Sequence, residues 1–142
     1  MTVSEDVANQ FVSFVKARTF ATTFVAVDAE REIMEEGVTR WNLGFDEARG
    51  ILLRLGNDNQ LVFQSEIERV VGDMLTEAVG KKDSVSRDQF ERAANLYRAL
   101  ALNALSPEQA RKHVKRMMVG KSWRPRRRNL IAATKWYREI EV

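Results

Sequence analysis

The sequence predicts an all-α protein, a single-domain bundle of six or seven helices. Apolar residues recur at helical spacing along most of the chain, and several of these runs begin with serine followed by Glu or Gln three residues later. No alternation of apolar and polar residues extends far enough to predict a sheet. With 142 residues, 44% of them hydrophobic and 30% charged, the chain is long enough for one globular core.

The first half of the chain contains four predicted helices. Apolar residues at helical spacing after Ser4 predict the first. The stretch 19–27 is rich in β-branched and aromatic residues, but a lone strand would have no pairing partner, and the run leads into the helical sequence DAEREIMEEG. We therefore expect buried helix there. The segments FDEARGILLRL and QSEIERVVGDML predict two more helices, the second capped by Ser65 with Glu68 three residues later.

The second half contains the clearest helix boundaries. Ser86 and Ser106 are each followed by Gln three residues later, which predicts a capping box at both positions. Pro107 then occupies the first position of its helix, and Gly120 ends that helix. The segment RPRRRNLIAATKWYREI, residues 124–140, is expected to form a last helix whose apolar positions are Leu130, Ala133, Tyr137 and Ile140.

The net charge of +3 conceals a strong asymmetry along the chain. Residues 1–110 contain 12 Lys and Arg against 18 Asp and Glu, whereas residues 111–142 contain 11 against 2. Within one predicted domain, 1–142, the sequence therefore combines an acidic body with a basic C-terminal segment. Such an asymmetry indicates a polyanionic partner.

The basic residues of this segment are poorly placed for the stability of their own predicted helices. Arg126, Arg127 and Arg128 would occupy the first turn of the last helix, where the positive end of the helix dipole disfavours cations. On that basis Arg126→Glu is expected to leave the melting temperature equal or higher. A ligand outside the helix explains the charges better, and Trp123 is expected to stack on a base. The candidate polyanion-binding residues are Lys112, Lys115, Arg116, Lys121, Arg124, Arg126, Arg127 and Arg128.

Two kinds of polyanion fit this segment at the level of sequence, and we expect the first, with the second as the alternative. The first is the phosphate backbone of nucleic acid, bound with little base specificity. The second is an acidic protein surface, which would make the chain an adaptor or regulatory subunit. That surface could belong to a partner protein, or to residues 28–36 of the same chain or of a neighbouring copy, and the last case would give a homo-oligomer. In a third interpretation the charges have no specific role and form a solvated surface.

The spacing of two helix starts suggests a family. The pair Val85–Ser86 recurs as Leu105–Ser106, and the region 43–118 resembles the TerB-like helical family. The resemblance implies EF-hand-like helix–loop–helix units, with acidic metal-binding loops in some relatives. Here the loops lack the carboxylates that calcium requires. If Val85 occupies loop position 8, the first three ligand positions are Ala78, Gly80 and Lys82, so we expect structural units without metal.

The remaining chemistry of the chain favours binding over catalysis. The chain has no Cys and a single His, His113, which has no visible partner for acid–base work and is expected to be structural. Asp28, Glu32, Glu35 and Glu36 are expected to form a solvated acidic face. We expect no enzymatic activity, cofactor or metal. The N-terminal sequence lacks the basic segment of a secretory signal, and FATTFVAV is too short to span a bilayer, so a cytoplasmic, non-membrane protein is expected.

Overall fold

The computed structural model describes residues 4–127 and 134–142 and consists mainly of helices. Among these residues lie seven α-helices, one 3-10 turn and four strands of two residues each. Because strands of that length cannot form a sheet that buries a core, the prediction of an all-α fold is confirmed. In chain order the elements are α1 (Glu5–Arg18), β1 (Phe24–Val25), α2 (Val27–Arg40), α3 (Phe45–Asp58), β2 (Val62–Phe63), α4 (Gln64–Val79), the 3-10 turn (Gly80–Lys82), β3 (Ser84–Val85), α5 (Arg87–Leu100), α6 (Pro107–Gly120), β4 (Arg124–Pro125) and α7 (Lys135–Arg138).

Two of the three predicted serine caps are confirmed, since Ser86 and Ser106 form complete capping boxes at α5 and α6. In addition, the Ser4 hydroxyl accepts a hydrogen bond from the Val7 N–H at the start of α1. The prediction for Ser65 was wrong. Helix α4 already begins at Gln64, directly after β2, and the Ser65 hydroxyl instead donates to Glu30 Oε2 at 2.7 Å.

The prediction of buried helix over residues 19–27 was also wrong. Helix α1 ends at Arg18, Phe20 is 91% exposed, and Phe24–Val25 forms β1. The sequence analysis found no pairing partner for this strand, but the strand pairs in parallel with Val62–Phe63. A two-residue strand is too short to display an alternating pattern, so neither partner was recognisable from local sequence.

The last predicted helix is much shorter than expected. Helix α7 covers only Lys135–Arg138 of the described C-terminal residues, and Arg124–Pro125 forms β4, which pairs in parallel with Ser84–Val85. Arg126 and Arg127 follow that strand and are not helical. Their predicted position in a helical first turn was therefore wrong. Residues 128–133, which include Arg128, Leu130 and Ala133, lie outside the described residues.

The chain divides into two compact units, residues 1–65 and 66–142. Each has its own buried apolar side chains, and the single-domain organisation stays a prediction. In unit 1 the core is formed around Phe11, Val15, Ile33, Leu52 and Phe63. In unit 2 the fully buried side chains include Val71, Leu75, Phe90, Tyr97, Val114 and Met118.

Unit 1 has the order helix, strand, two helices, strand, and unit 2 repeats this order with a 3-10 turn after its first helix and α7 after its last strand. Each unit pairs its two strands in parallel, β1 with β2 and β3 with β4. The Val62 N–H donates to Thr23 O at 2.7 Å, and the Arg124 N–H, at the equivalent position, donates to Asp83 O at 2.8 Å. Gln60, with φ of 55°, matches Ser122, with φ of 60°. The protein therefore contains an internal structural repeat, which the sequence analysis missed.

Two glycines of α3 provide a matched test of this packing. A Cβ at Gly56 would lie 2.5 Å from Phe63 Cε2, on a buried ring, whereas a Cβ at Gly50 would meet no atom within 4 Å. We expect Gly56→Ala to lower the free energy of unfolding by about 1–3 kcal/mol through overpacking. Gly50→Ala should raise it by up to about 1 kcal/mol, because Ala is the better helix former. Urea denaturation measures both, and equal effects would contradict this account of the α3–β2 contact.

Candidate polyanion-binding groove

The pairing of β3 with β4 brings the basic C-terminal segment against a second basic region. The Arg124 N–H donates to Asp83 O at 2.8 Å, and the Arg126 N–H donates to Val85 O at 2.7 Å. These main-chain bonds join parts of the chain that are distant in the sequence. As a result, the segment that begins at Arg124 lies beside the turn that follows α4.

That turn presents two lysines. Helix α4 ends at Val79, and Gly80, with φ of +60°, starts the 3-10 turn that carries Lys81 and Lys82. Glycine suits this position because it has no Cβ to oppose a left-handed backbone. Asp83 is also left-handed, with φ of 51°, and then leads directly into β3. Both lysines are exposed.

The two segments and the C-terminal region line one groove of unit 2, with a volume of about 930 Å³. Six of its eleven lining residues are Lys or Arg, and one is Asp. An excess of one sign of charge along a groove attracts counter-ions of the opposite sign. The lining residues are Lys81, Lys82, Asp83, Ser84, Arg124, Pro125, Arg126, Arg127, Thr134, Tyr137 and Arg138.

The positive charge of this groove is not neutralised by the surrounding protein. Over residues 4–127 and 134–142, none of the six cations forms an ion pair with a carboxylate. Arg126 is held in place by neutral partners, since its Nε lies 3.2 Å from Ser84 Oγ and its Nη2 lies 3.3 Å from Ser84 O. An anion in the groove would therefore meet several cations that are not engaged in ion pairs, and Asp83 is the one acidic residue of the lining.

The structure brings only part of the predicted set together. Arg124, Arg126 and Arg127 line the groove, whereas Arg128 lies outside the described residues. The other predicted cations are not among the lining residues. Lys112 lines a separate depression, Arg116 and Lys121 are exposed elsewhere in unit 2, and Lys115 has an intramolecular partner.

Lys115 holds the C-terminal end of α7. Its Nζ donates to Tyr137 O at 2.8 Å and to Ile140 O at 2.7 Å, and it lies 4.4 Å from the centroid of the Tyr137 ring. A cation bound to the last carbonyls of a helix is favourable because those carbonyls carry the negative end of the helix dipole. Its role in the structure is thus to position Tyr137 at the edge of the groove.

Both tryptophans of the C-terminal region are half-buried. Trp136 packs against Phe90 with ring centroids 4.9 Å apart, and the Arg87 guanidinium lies 5.9 Å from the Trp136 ring centroid. Trp123 immediately precedes β4, where its N–H donates to Met118 O at 2.9 Å. It does not belong to the groove lining, and its stacking on a base stays a prediction.

Sequence reasoning missed three cations of the groove: Lys81, Lys82 and Arg138. The two adjacent lysines after Gly80 could have indicated a binding site, because a basic pair in a turn is exposed to solvent. The sequence analysis could not place these lysines beside the C-terminal segment, because they are far from it along the chain. The pairing of β3 with β4 brings them together, and no local pattern predicts a pair of two-residue strands.

Two of the four acidic residues of α2, and His113, have structural partners. On the acidic face of α2, Glu32 pairs with Arg18, and Asp28 pairs with Arg31 at 3.5 Å. The His113 ring stacks on Tyr97 with centroids 5.0 Å apart, and the Tyr97 hydroxyl donates to Glu68 at 2.6 Å. Within the described part of the chain, no three His, Asp or Glu side chains are grouped so as to hold a metal ion.

The position of Arg126 changes the expected result of mutating it. Since Arg126 is not in a helical turn, the dipole argument for Arg126→Glu no longer applies. We expect Arg126→Gln to lower the free energy of unfolding by about 0.5–1.5 kcal/mol, because the hydrogen bonds to Ser84 are lost. Arg127→Gln, which removes the same charge from the next residue, should have no effect. Thermal denaturation of both variants measures the difference, and equal stability would show that the Ser84 contact is not stabilising.

The partly buried imidazole of His113 makes stability depend on pH. Burial lowers the pKa of His113 below its ordinary value of 6.5, although Glu68 raises it, and Arg116 lowers it further. The unfolded chain therefore binds the proton more readily, and stability falls as the pH drops through the unfolded value. Between about pH 7.5 and about pH 5.5, the free energy of unfolding should fall further in the unmodified protein than in His113→Gln. An identical fall in both, measured by urea denaturation, would contradict this.

No family model, curated protein or solved structure matches this chain. The resemblance to the TerB-like family therefore stays a prediction. Among the described residues, no helix is both long enough and apolar enough to cross a membrane. The functional inference consequently depends on the chemistry of the groove itself.

Proposed function

We propose that this chain is a non-enzymatic binding module whose basic groove binds the phosphate backbone of nucleic acid. One observation carries the proposal: six cations from separate parts of unit 2 line a single groove, and no carboxylate of the described chain pairs with them. The expectations of a cytoplasmic location and of binding without a cofactor belong to the same proposal.

The types of cation in the groove suit a chain of phosphates. Arginine presents a planar fork that can donate two hydrogen bonds to one phosphate, whereas lysine acts as a compact point charge. The groove combines four arginines with two lysines. Several cations in a row can bind successive phosphates, and the release of condensed counter-ions then drives binding.

The groove favours backbone contact over reading of bases. Its one aromatic lining residue, Tyr137, already packs against the rings of Phe90 and Trp136 and beneath the Lys115 ammonium. A ring with these contacts has little free face on which a base could stack. We therefore propose binding with little sequence preference.

Salt dependence provides the direct test. We expect fluorescently labelled mixed-sequence duplex DNA to bind the full chain at about 50 mM salt and to lose roughly two to three orders of magnitude in affinity at about 200 mM, as for four to six phosphate contacts. Replacing both turn lysines, Lys81→Gln with Lys82→Gln, should weaken binding at low salt. It should also lower the logarithmic salt slope by about 1.8, because each phosphate contact contributes about 0.9.

A double variant of unit 1 provides the control. Lys16→Gln with Arg54→Gln removes the same charge from exposed positions that do not line the groove. Its affinity and salt slope should match those of the unmodified protein. Equal weakening in both double variants would indicate a non-specific effect of net charge and would contradict the groove as the site. Absence of binding at low salt to DNA and RNA would overturn the proposal and favour an acidic protein as the partner.

A further inference from the structure

Part of the lining of the basic groove comes from the C-terminal segment, residues 134–142. This segment supplies Thr134, Tyr137 and Arg138 to the groove. Its helix, α7, has four residues, which is far too short for a helix to be stable without tertiary contacts. The position of Arg138 on the groove is therefore decided by the contacts that fix the segment to the rest of unit 2.

Lys115 of α6 makes two of these contacts. Its Nζ donates to Tyr137 O at 2.8 Å and to Ile140 O at 2.7 Å. Hydrogen bonds from a charged donor are stronger than those from a neutral one. Arg138 lies between the two carbonyl groups in the chain, so the main chain on both sides of its side chain is tied to α6. Lys115 itself is half-buried and does not line the groove.

An aromatic contact fixes the segment just before Arg138. The Trp136 ring packs on the buried ring of Phe90, with centroids 4.9 Å apart. The Arg138 side chain is exposed and forms no ion pair within the part of the chain that the structure describes. The main chain of Arg138 is thus held in place while its guanidinium is available to a phosphate.

The internal repeat shows that the helices themselves do not require these contacts. Helices α2 and α5 have equal lengths, as do α3 and α6, so each pair aligns from its first residue. Phe90 then occupies the position of Glu30 in unit 1. Lys115 occupies the position of Leu53, which has no side-chain donor and is 38% exposed. The ammonium of Lys115 therefore serves the C-terminal segment rather than the packing of its own helix.

We propose that Lys115 is a positioning residue of the basic groove, which holds Arg138 where it binds a phosphate and does not contact that phosphate itself. The inference rests on the proposed binding of nucleic acid. It differs from the expectation drawn from the sequence, in which Lys115 is one of the phosphate contacts. A lysine can raise affinity in this way through the carbonyl groups of its own chain.

A double-mutant cycle between Lys115 and Arg138 separates positioning from direct contact. The affinity for labelled mixed-sequence duplex DNA is measured at several salt concentrations between about 50 and about 200 mM. Lys115→Met keeps an unbranched side chain and removes the donor. We expect it to weaken binding and to lower the logarithmic salt slope by about 0.9, the contribution of one phosphate contact. Arg138→Gln should have the same effect, and the double variant should match Arg138→Gln alone.

Two further variants are controls. Lys112→Met removes the same charge from an exposed position of α6 that does not line the groove, so affinity and salt slope should be unchanged. Lys115→Arg keeps a charged group with several donors, which can bond to both carbonyls, and should restore the full slope. Thermal denaturation shows how much of each variant is folded. A smaller folded fraction lowers the apparent affinity and leaves the salt slope unchanged, so the slope distinguishes positioning from a loss of stability.

Backbone dynamics test the positioning in the absence of DNA. In the unmodified chain, the NMR order parameters of residues 137–140 should be near the value of an ordered backbone, about 0.85. In Lys115→Met they should fall below about 0.6, because the segment loses both bonds to α6. In Lys115→Arg and Lys112→Met they should stay high.

Three results would overturn the proposal. The first is a slope that falls by about 1.8 in the double variant, which would mean that Lys115 contacts a phosphate independently of Arg138. The second is a salt slope, or a set of order parameters, that Lys115→Met leaves unchanged. The third is an equal fall of the slope in Lys112→Met, which would indicate a general effect of charge. Absence of binding by the unmodified chain at about 50 mM salt is a different outcome. It would overturn the proposed function and this inference with it, even if the order parameters show that Lys115 holds the segment.

Discussion

The parallel pairing of β3 with β4 is the constraint on which the candidate site depends. Two main-chain hydrogen bonds, from Arg124 to Asp83 and from Arg126 to Val85, join segments that are distant in the sequence. They place the arginines that follow Trp123 beside the lysines of the turn after α4. Without this pairing, the basic residues would be two separate stretches of charge. With it, they line one groove, and an extended anion can contact several of them together.

The same pairing occurs in unit 1, where β1 and β2 hold an equivalent framework with different chemistry. Glu30 is 6% exposed, and its carboxylate accepts from Arg49 and Ser65, so a buried charge is compensated inside the unit. Its counterpart in unit 2 is Phe90, which packs against Trp136. At this one position of the repeat, the backbone therefore places a buried carboxylate in one unit and an aromatic ring in the other.

Local sequence predicted the helices well because helix ends depend on neighbouring residues. The hydroxyls of Ser86 and Ser106 bond to main-chain groups three residues away, so a short stretch of sequence contains the whole signal. Ser65 shows where this reasoning fails: its hydroxyl bonds to Glu30, 35 residues away, and no local pattern reveals that partner. The sequence analysis placed Arg126 in the first turn of a helix, but Arg126 follows β4 and is not helical. Its actual partner, Ser84, is 42 residues away.

By itself, the sequence determined that the protein is helical, where most helices begin, and that positive charge concentrates after residue 110. These properties follow from periodicity and capping, which act over a few residues, and from composition, which needs no structure at all. Only the tertiary structure decided the short strands, the internal repeat and which residues line the basic groove. Lys81 and Lys82 line the groove, although the sequence did not predict them, whereas Lys115 was predicted and instead donates to Tyr137 O and Ile140 O. Hydrogen bonds between distant segments determine which residues line the groove. Such bonds produce no periodic pattern of residues, so the sequence does not reveal them.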